Sequence, residues 1–229
     1  MAEVTVAALV YRDIRWIEWM LDGLRRAKTN IDYRVMVVSN DGTPEVEASP
    51  LVTHKLRNPD PDEYYLARVY RAWNKAVMAA PTQWVVLMNS DMYVSDWWLD
   101  ELMACKRAHP MSLPTSLLVE SGKLESAMPE WVHDFGRTPD AFDREGFLDF
   151  AAKGRQRALM EPGRLFMPVL FDRQEFLDIG GYPEGNPVVD GKQISGDRAL
   201  FDVYAQRGFR WMTCLGSIVY HAQEGERDS

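Results

Sequence analysis

The chain opens on an unbroken apolar and β-branched run, Val4-Thr5-Val6-Ala7-Ala8-Leu9-Val10, the pattern of a strand buried on both faces. Trp16, Trp19, Met20 and Leu24 then recur at helical spacing. Positive charge follows at Arg25-Arg26-Ala27-Lys28, where a helix dipole favours it, and together these predict a helix over 14–27. Residues 33–38 form the next strand, which breaks at the turn formers Ser39-Asn40-Asp41-Gly42-Thr43. Past a polar, proline-bearing stretch at 57–62, Leu66, Val69, Tyr70, Trp73 and Val77 share one helix face, so a helix is expected from about 63 to 80, ended by Pro81. Residues 84–88 read as a buried strand with Asn89-Ser90-Asp91 at its C-terminal end, and Asp96-Trp97-Trp98 opens a further helix. This βαβαβα order predicts an α/β fold with a mostly parallel, doubly wound sheet flanked by helices.

From 106 to 161 the periodicity fades among proline, glycine and charge, and a variable, partly mobile excursion is expected there, holding Trp131, Phe142, Phe147 and Phe150. Order returns over 165–171. A Gly180-Gly181 turn, a helix over 196–207 and closing strands over 209–214 and 217–221 complete the reading. At 229 residues, against ~100–200 per domain, one domain is expected. It divides into a first half at 1–103, the excursion at 104–164 and a second half at 165–229.

The 26 Lys and Arg against 34 Asp and Glu give a formal charge of −8, which argues against duplex nucleic acid as a partner. Apolar runs fall far short of the ~20 residues of a membrane span, and the first ten residues carry acidic Glu3 and no basic segment, so a cytoplasmic chain is expected. Cys105 and Cys214 have no CxxC spacing and read as reduced, buried thiols.

Neither G-x-x-x-x-G-K-[ST] nor G-x-G-x-x-G follows an expected strand, and no G-x-S-x-G elbow is present. Acidic strand ends are what is left. Asp91, with the Asn89 amide two residues earlier on the same side, offers oxygen ligands suited to Mg2+ or Mn2+; its alternative role is a turn or helix cap. Asp41 ends the neighbouring strand, and two acidic ends on one sheet edge converge on one cleft.

In order and spacing, Val10-Tyr11-Arg12, Ser39-Asn40-Asp41-Gly42-Thr43, Asn74-Lys75-Ala76 and Val85-Val86-Leu87-Met88-Asn89-Ser90-Asp91 resemble glycosyltransferases of the GT-A fold, family 2 in particular. The stretch from Phe171 through Gly180-Gly181-Tyr182-Pro183-Glu184, then Gly196-Asp197-Arg198-Ala199-Leu200 and Gln206-Arg207-Gly208-Phe209-Arg210, is similar to that family's acceptor-side block. The resemblance spans about 4–103 and 165–221. It implies a GT-A (Rossmann-like) fold, a nucleotide-sugar donor of the UDP- or GDP-sugar class, Mn2+ or Mg2+ as cofactor, and sugar transfer to an unidentified acceptor hydroxyl. Asp91 then corresponds to the metal-binding end of the D-x-D motif, Asp41 to a contact with base or ribose, and Asp197 to the general base of inverting members. Asp197 has a second reading as a helix N-cap, a place Ser195 or Gly196 could also take. His221 stands where some GT-A enzymes supply a metal ligand, with a structural role as the alternative. Tyr11, Arg12, Asn40, Arg71, Asn74, Asn89 and Ser90 are the other expected nucleotide-sugar contacts. Trp97, Trp98, Trp131 and Gly181 are expected on the acceptor side, where aromatic faces can stack on sugar rings, with core packing the expected role for at least one of the adjacent tryptophans.

Three positions depart from the family pattern: Asn89 replaces the first Asp of the motif, Gly196 stands where Glu is frequent, and Ala199 where a second Asp is common. They leave open a retaining transferase or a nucleotide-sugar-binding module that has lost catalysis. The run Gln206–Trp211 is one residue longer than the Q-x-x-R-W of processive synthases, and processive synthesis is rejected. Nucleotidyltransferases rank lower still, because no glycine-rich loop follows Val10.

Overall fold

The computed structural model describes residues 2–40, 43–55, 65–184, 188–189 and 192–223. In chain order the elements are β1 (Val4–Val10), α1 (Ile14–Arg26), β2 (Tyr33–Ser39), α2 (Pro44–Ala48), β3 (His54–Lys55), α3 (Tyr65–Ala79), β4 (Trp84–Asn89), β5 (Met92–Val94), α4 (Trp98–Ala108), β6 (Ser112–Glu120), α5 (Arg144–Gly154), β7 (Met160–Pro162), β8 (Val169–Asp172), α6 (Arg173–Asp178), β9 (Val188–Val189), β10 (Lys192–Gln193), α7 (Gly196–Gln206) and β11 (Arg210–His221). Among the described residues no helix is long and apolar enough to cross a membrane.

Nine strands form one sheet in the order β3-β2-β1-β4-β8-β6-β11-β5, with β7 alongside β11; β9 and β10 make a separate ribbon. The pairings orient β1, β2, β3, β4, β6 and β11 one way and β5, β7 and β8 the other. All seven residues of β1 and all nine of β6 are buried, as expected of strands covered on both faces. Cys105 and Cys214 are free, buried thiols, as the sequence indicates.

The excursion expected over 106–161 is corrected here: it holds β6, which lies in the sheet between β8 and β11, and the packed helix α5. Pro114 obscured the strand, since proline lacks the N–H a central ladder needs. It is accommodated because β8 pairs with β6 only at Thr115 and the next bond is Ser116 N–H to Pro168 O, so the flank Pro114 would serve carries no ladder. The two expected closing strands are one, β11, whose register against β6 shifts between Cys214 and Ile218.

Glu101 ties this half together. Buried on α4, it accepts Arg155 Nη2 at 2.5 Å and the Ala158 N–H at 2.9 Å, and its side chain lies where a Cβ on Gly216 would sit. Removing one partner of a buried ion pair strands the other, so Glu101→Ala is expected to lower unfolding free energy by about 3–5 kcal/mol in urea titrations.

Candidate active site

Parallel strands end together, and helices that precede parallel strands begin at that same edge, so β1, β2, β4, β6, β11 and the first turns of α3 and α7 share the edge at which open α/β sheets form their ligand cleft. β4 turns through Ser90 and Asp91 into β5, and the Asp91 carbonyl accepts the Ala222 N–H at 3.0 Å. β11 lies between β6 and β5, so His221 stands in register with Glu120 on one side and Met92 on the other. His221 therefore sits between two carboxylates: its Nε2 is 3.3 Å from Asp91 Oδ2 and its Nδ1 is 3.3 Å from Glu120 Oε1. Burial alone would lower the imidazole pKa, but Asp91 and then Glu120 more than offset this and push it up to about 10. Burial also opposes ionisation of Glu120, yet hydrogen bonds from His221, Ser126 and Gln223 hold its carboxyl below the usual range.

Among the described residues no group of three or more His, Cys, Asp or Glu side chains is arranged to hold a metal ion. The Asp91 and His221 pair nevertheless fits a hard divalent cation that replaces the Nε2 proton, since only the neutral imidazole ligates. Two adjacent ligands of an octahedral ion at 2.0–2.1 Å lie about 3.0 Å apart, close to the 3.3 Å observed. Glu120 on the far ring nitrogen is the carboxylate–histidine support that ligating imidazoles ordinarily have. Such an ion would complete its shell with substrate oxygens.

At the ends of β1 and β2, the Asn40 N–H donates to Val10 O at 2.8 Å and its side chain is buried, with Oδ1 meeting no hydrogen-bond partner among the described residues. An orphaned buried acceptor at a strand end is a place for a ligand donor. Beside it the Tyr11 ring carries the exposed Arg12 guanidinium at 4.6 Å and that of buried Arg68 at 5.8 Å, a cationic and aromatic rim. Arg71 is half-buried on the same helix as Arg68, and Asn89 and Ser90 flank the turn that carries Asp91. Asp41 lies outside the described residues.

α7 starts with Ser195 as its N-cap, the hydroxyl accepting the Arg198 N–H at 3.2 Å. This leaves the Asp197 carboxylate free of capping. Its Oδ2 accepts the Tyr70 hydroxyl at 3.1 Å. Burial pushes the Asp197 carboxyl up to about 6, against the lowering effects of that hydrogen bond and of one from its own backbone N–H.

Other expected contacts fall elsewhere. The Asn74 amide is committed to backbone: Oδ1 accepts the Tyr182 N–H at 2.8 Å and Nδ2 donates to Tyr182 O at 2.9 Å. Gly181 lies against that amide at φ +72, where a Cβ would meet Asn74 Oδ1 at 2.5 Å. Trp98, expected on the acceptor side, is corrected to the core, being 1% exposed. Trp97 is corrected too, because β5 runs back from the edge and carries it to the end of α1, where its backbone N–H donates to Lys28 O. Trp131 stays near the cleft: half-buried and edge-on to Phe150, it precedes Val132, which bridges to Glu120. The sequence reading missed Glu120, Arg68 and the role of Tyr70. Glu120 carried the same signal as Asp91, a carboxylate ending an apolar run, hidden once Pro114 removed the strand.

No protein-family model matches the chain, and no curated protein matches it in sequence. Solved structures do. TarS 1–349 of S. aureus superposes over 96% of this chain with TM-score 0.60 at 13% identity, and GalNAc-T7, solved with UDP, GalNAc and Mn2+, over 96% with TM-score 0.63 at 11% identity. This chain spans 60% of the first structure and 44% of the second. The fold is that of the GT-A glycosyltransferases, as the sequence resemblance implies.

The raised Asp197 pKa has a consequence for stability. Between its ordinary 3.8 and the native value of about 6, the folded state holds a proton the unfolded chain has lost, so this group's contribution falls as pH rises through that window. Above it a buried charge opposes folding. Asp197→Asn is expected to be at least as stable as the parent near neutral pH, by up to about 1–3 kcal/mol. The advantage should shrink as pH falls to about 4, read as the difference between paired denaturant titrations.

Proposed function

We propose that the chain is a divalent-metal-dependent glycosyltransferase that moves a sugar from a UDP- or GDP-sugar to an acceptor hydroxyl with inversion at the anomeric carbon. The observation that carries this reading is the Asp91 and His221 pair, backed by Glu120, at the strand-end edge of a GT-A sheet. Asp91 and His221 would hold Mn2+ or Mg2+, and Glu120 would fix the imidazole ring. Bound there, the cation would supply charge neutralisation to the departing diphosphate. The Mn2+ and UDP bound by GalNAc-T7 make those the first pair to test.

On the donor side, Asn40 Oδ1 is an acceptor for a base or ribose donor, with Tyr11, Arg12, Arg71 and, by family resemblance, Asp41 completing the nucleotide contacts. Asp197 is the general base. The acceptor O–H gives its proton to the Asp197 carboxylate, the acceptor oxygen bonds the anomeric carbon, and the bond from that carbon to the diphosphate oxygen breaks. A base that titrates at about 6 is mostly ionised at neutral pH and still basic enough to accept the proton. Trp131 is the aromatic candidate for stacking the acceptor.

Calorimetric titration with UDP and GDP, with and without Mn2+, tests the donor side. Metal-dependent binding of one nucleotide is expected, weakened at least about tenfold in Asp91→Asn, that is by about 1.4 kcal/mol. Absence of binding by either nucleotide overturns the reading. In turnover assays Asp197→Asn is expected to lose on the order of 10²–10⁴ in kcat while donor binding persists, and parental kcat/KM should fall about tenfold per pH unit below about 6. Parental turnover by Asp197→Asn would favour the retaining reaction. Binding without turnover in the parent would favour the inactive module.

A further inference from the structure

We propose that Tyr70 is a positioning residue for the transfer: its hydroxyl, anchored by the Gly196 N–H, fixes the Asp197 carboxylate, and the missing side chain of Gly196 is what admits the ring. This rests on Asp197 acting as the base. Tyr70 lies 127 residues from Asp197 in sequence, is 1% exposed, and joins α3 to the first turn of α7 by two bonds at one atom. The hydroxyl oxygen accepts Gly196 N–H at 3.1 Å and its proton goes to Asp197 Oδ2 at 3.1 Å. One of the amides left unpaired at the helix start is thereby satisfied by a side chain from another helix.

Gly196 has no left-handed backbone to explain it. A Cβ there would lie 2.5 Å from Tyr70 Cε2, 2.7 Å from Cζ and 2.8 Å from Cδ2, so any larger residue displaces the ring. The ring is held from behind as well. Tyr182 stacks on it at 5.3 Å and 13°, and the Tyr182 backbone is clamped on both polar groups by Asn74, one helical turn beyond Tyr70. Asn74 and Gly181, singled out in the sequence as substrate contacts, instead form the wall that steadies Tyr70.

Among the described residues the titratable groups facing Asp197 are Tyr70 from α3 and Tyr182 from the segment after α6, both with phenols raised above their ordinary range by burial first and Asp197 second. Tyr70 therefore stays a neutral donor. The Tyr70 hydroxyl bond restrains the carboxylate rotamer before substrate arrives.

The test is Tyr70→Phe, which keeps the ring and deletes the hydroxyl, with Gly196→Ala as the second variant should the first fail to fold. The first readout is the titration of the Asp197 side-chain carboxyl by 13C NMR in the purified protein. A hydrogen bond to the charged form is lost, so the midpoint is expected to rise by about one unit in either variant. The second readout is Mn2+-dependent hydrolysis of UDP-glucose and UDP-GalNAc, with water as acceptor: kcat is expected to fall about 10- to 100-fold with donor KM within about twofold, and the double variant to lose no more than either single one. An unmoved Asp197 midpoint in Tyr70→Phe overturns the proposal. So does parental kcat in Tyr70→Phe where Asp197→Asn is inactive, and in that case the base assignment survives. Parental hydrolysis by Asp197→Asn removes the base assignment and this proposal with it.

Discussion

The register of β11 between β6 and β5 is the constraint on which the candidate site depends. Side chains alternate faces along a strand, so a slip of one residue would turn His221 away from both Glu120 and Asp91. The irregularity between Cys214 and Ile218 lies just before this segment and sets its register, with Gly216 seated against buried Glu101 and the Ser217 and Ser116 hydroxyls 2.8 Å apart. One strand, β11, thus packs Gly216 against the Glu101 and Arg155 ion pair and carries the candidate metal ligand His221 to the sheet edge.

The charge arithmetic of the cleft follows from that register. Asn89 brings no charge to the end of β4, and Glu120 brings a negative one from β6 to the His221 ring. The imidazole between two carboxylates lowers the cost of holding both ionised in a buried setting. At the start of α7, Asp197 meets no such cation among the described residues, and burial shifts its carboxyl toward the protonated form. Two carboxyl environments on one edge are driven in opposite directions, the pattern expected where one group is to stay charged and another to exchange a proton.

The division of tasks at the start of α7 depends on adjacent small residues. Ser195 caps the helix, Gly196 leaves room for Tyr70, and the Asp197 carboxylate accepts the Tyr70 hydroxyl. At 11–13% identity to the GT-A structures it resembles, the chain keeps the strand-end framework while the residues around it differ.

The βαβαβα opening, the buried strands and the strand-end acids were legible because they are local: periodicity of apolar positions and turn chemistry are written within ten or fifteen residues. Asp91, His221 and Asp197 could be placed at the ends of elements for the same reason. What the sequence could not order was distance across the chain. β6 hid behind Pro114, whose tolerance depends on where the pairing of β8 with β6 stops; Trp97 and Trp98 read alike until β5 turned them from the edge; and Glu120 and Tyr70 gained roles only from partners 101 and 127 residues away. The sequence by itself determined the elements and the chemistry at their ends. Tertiary structure alone decided which ends meet, because strand register and helix contact are set by packing between segments that share no local pattern.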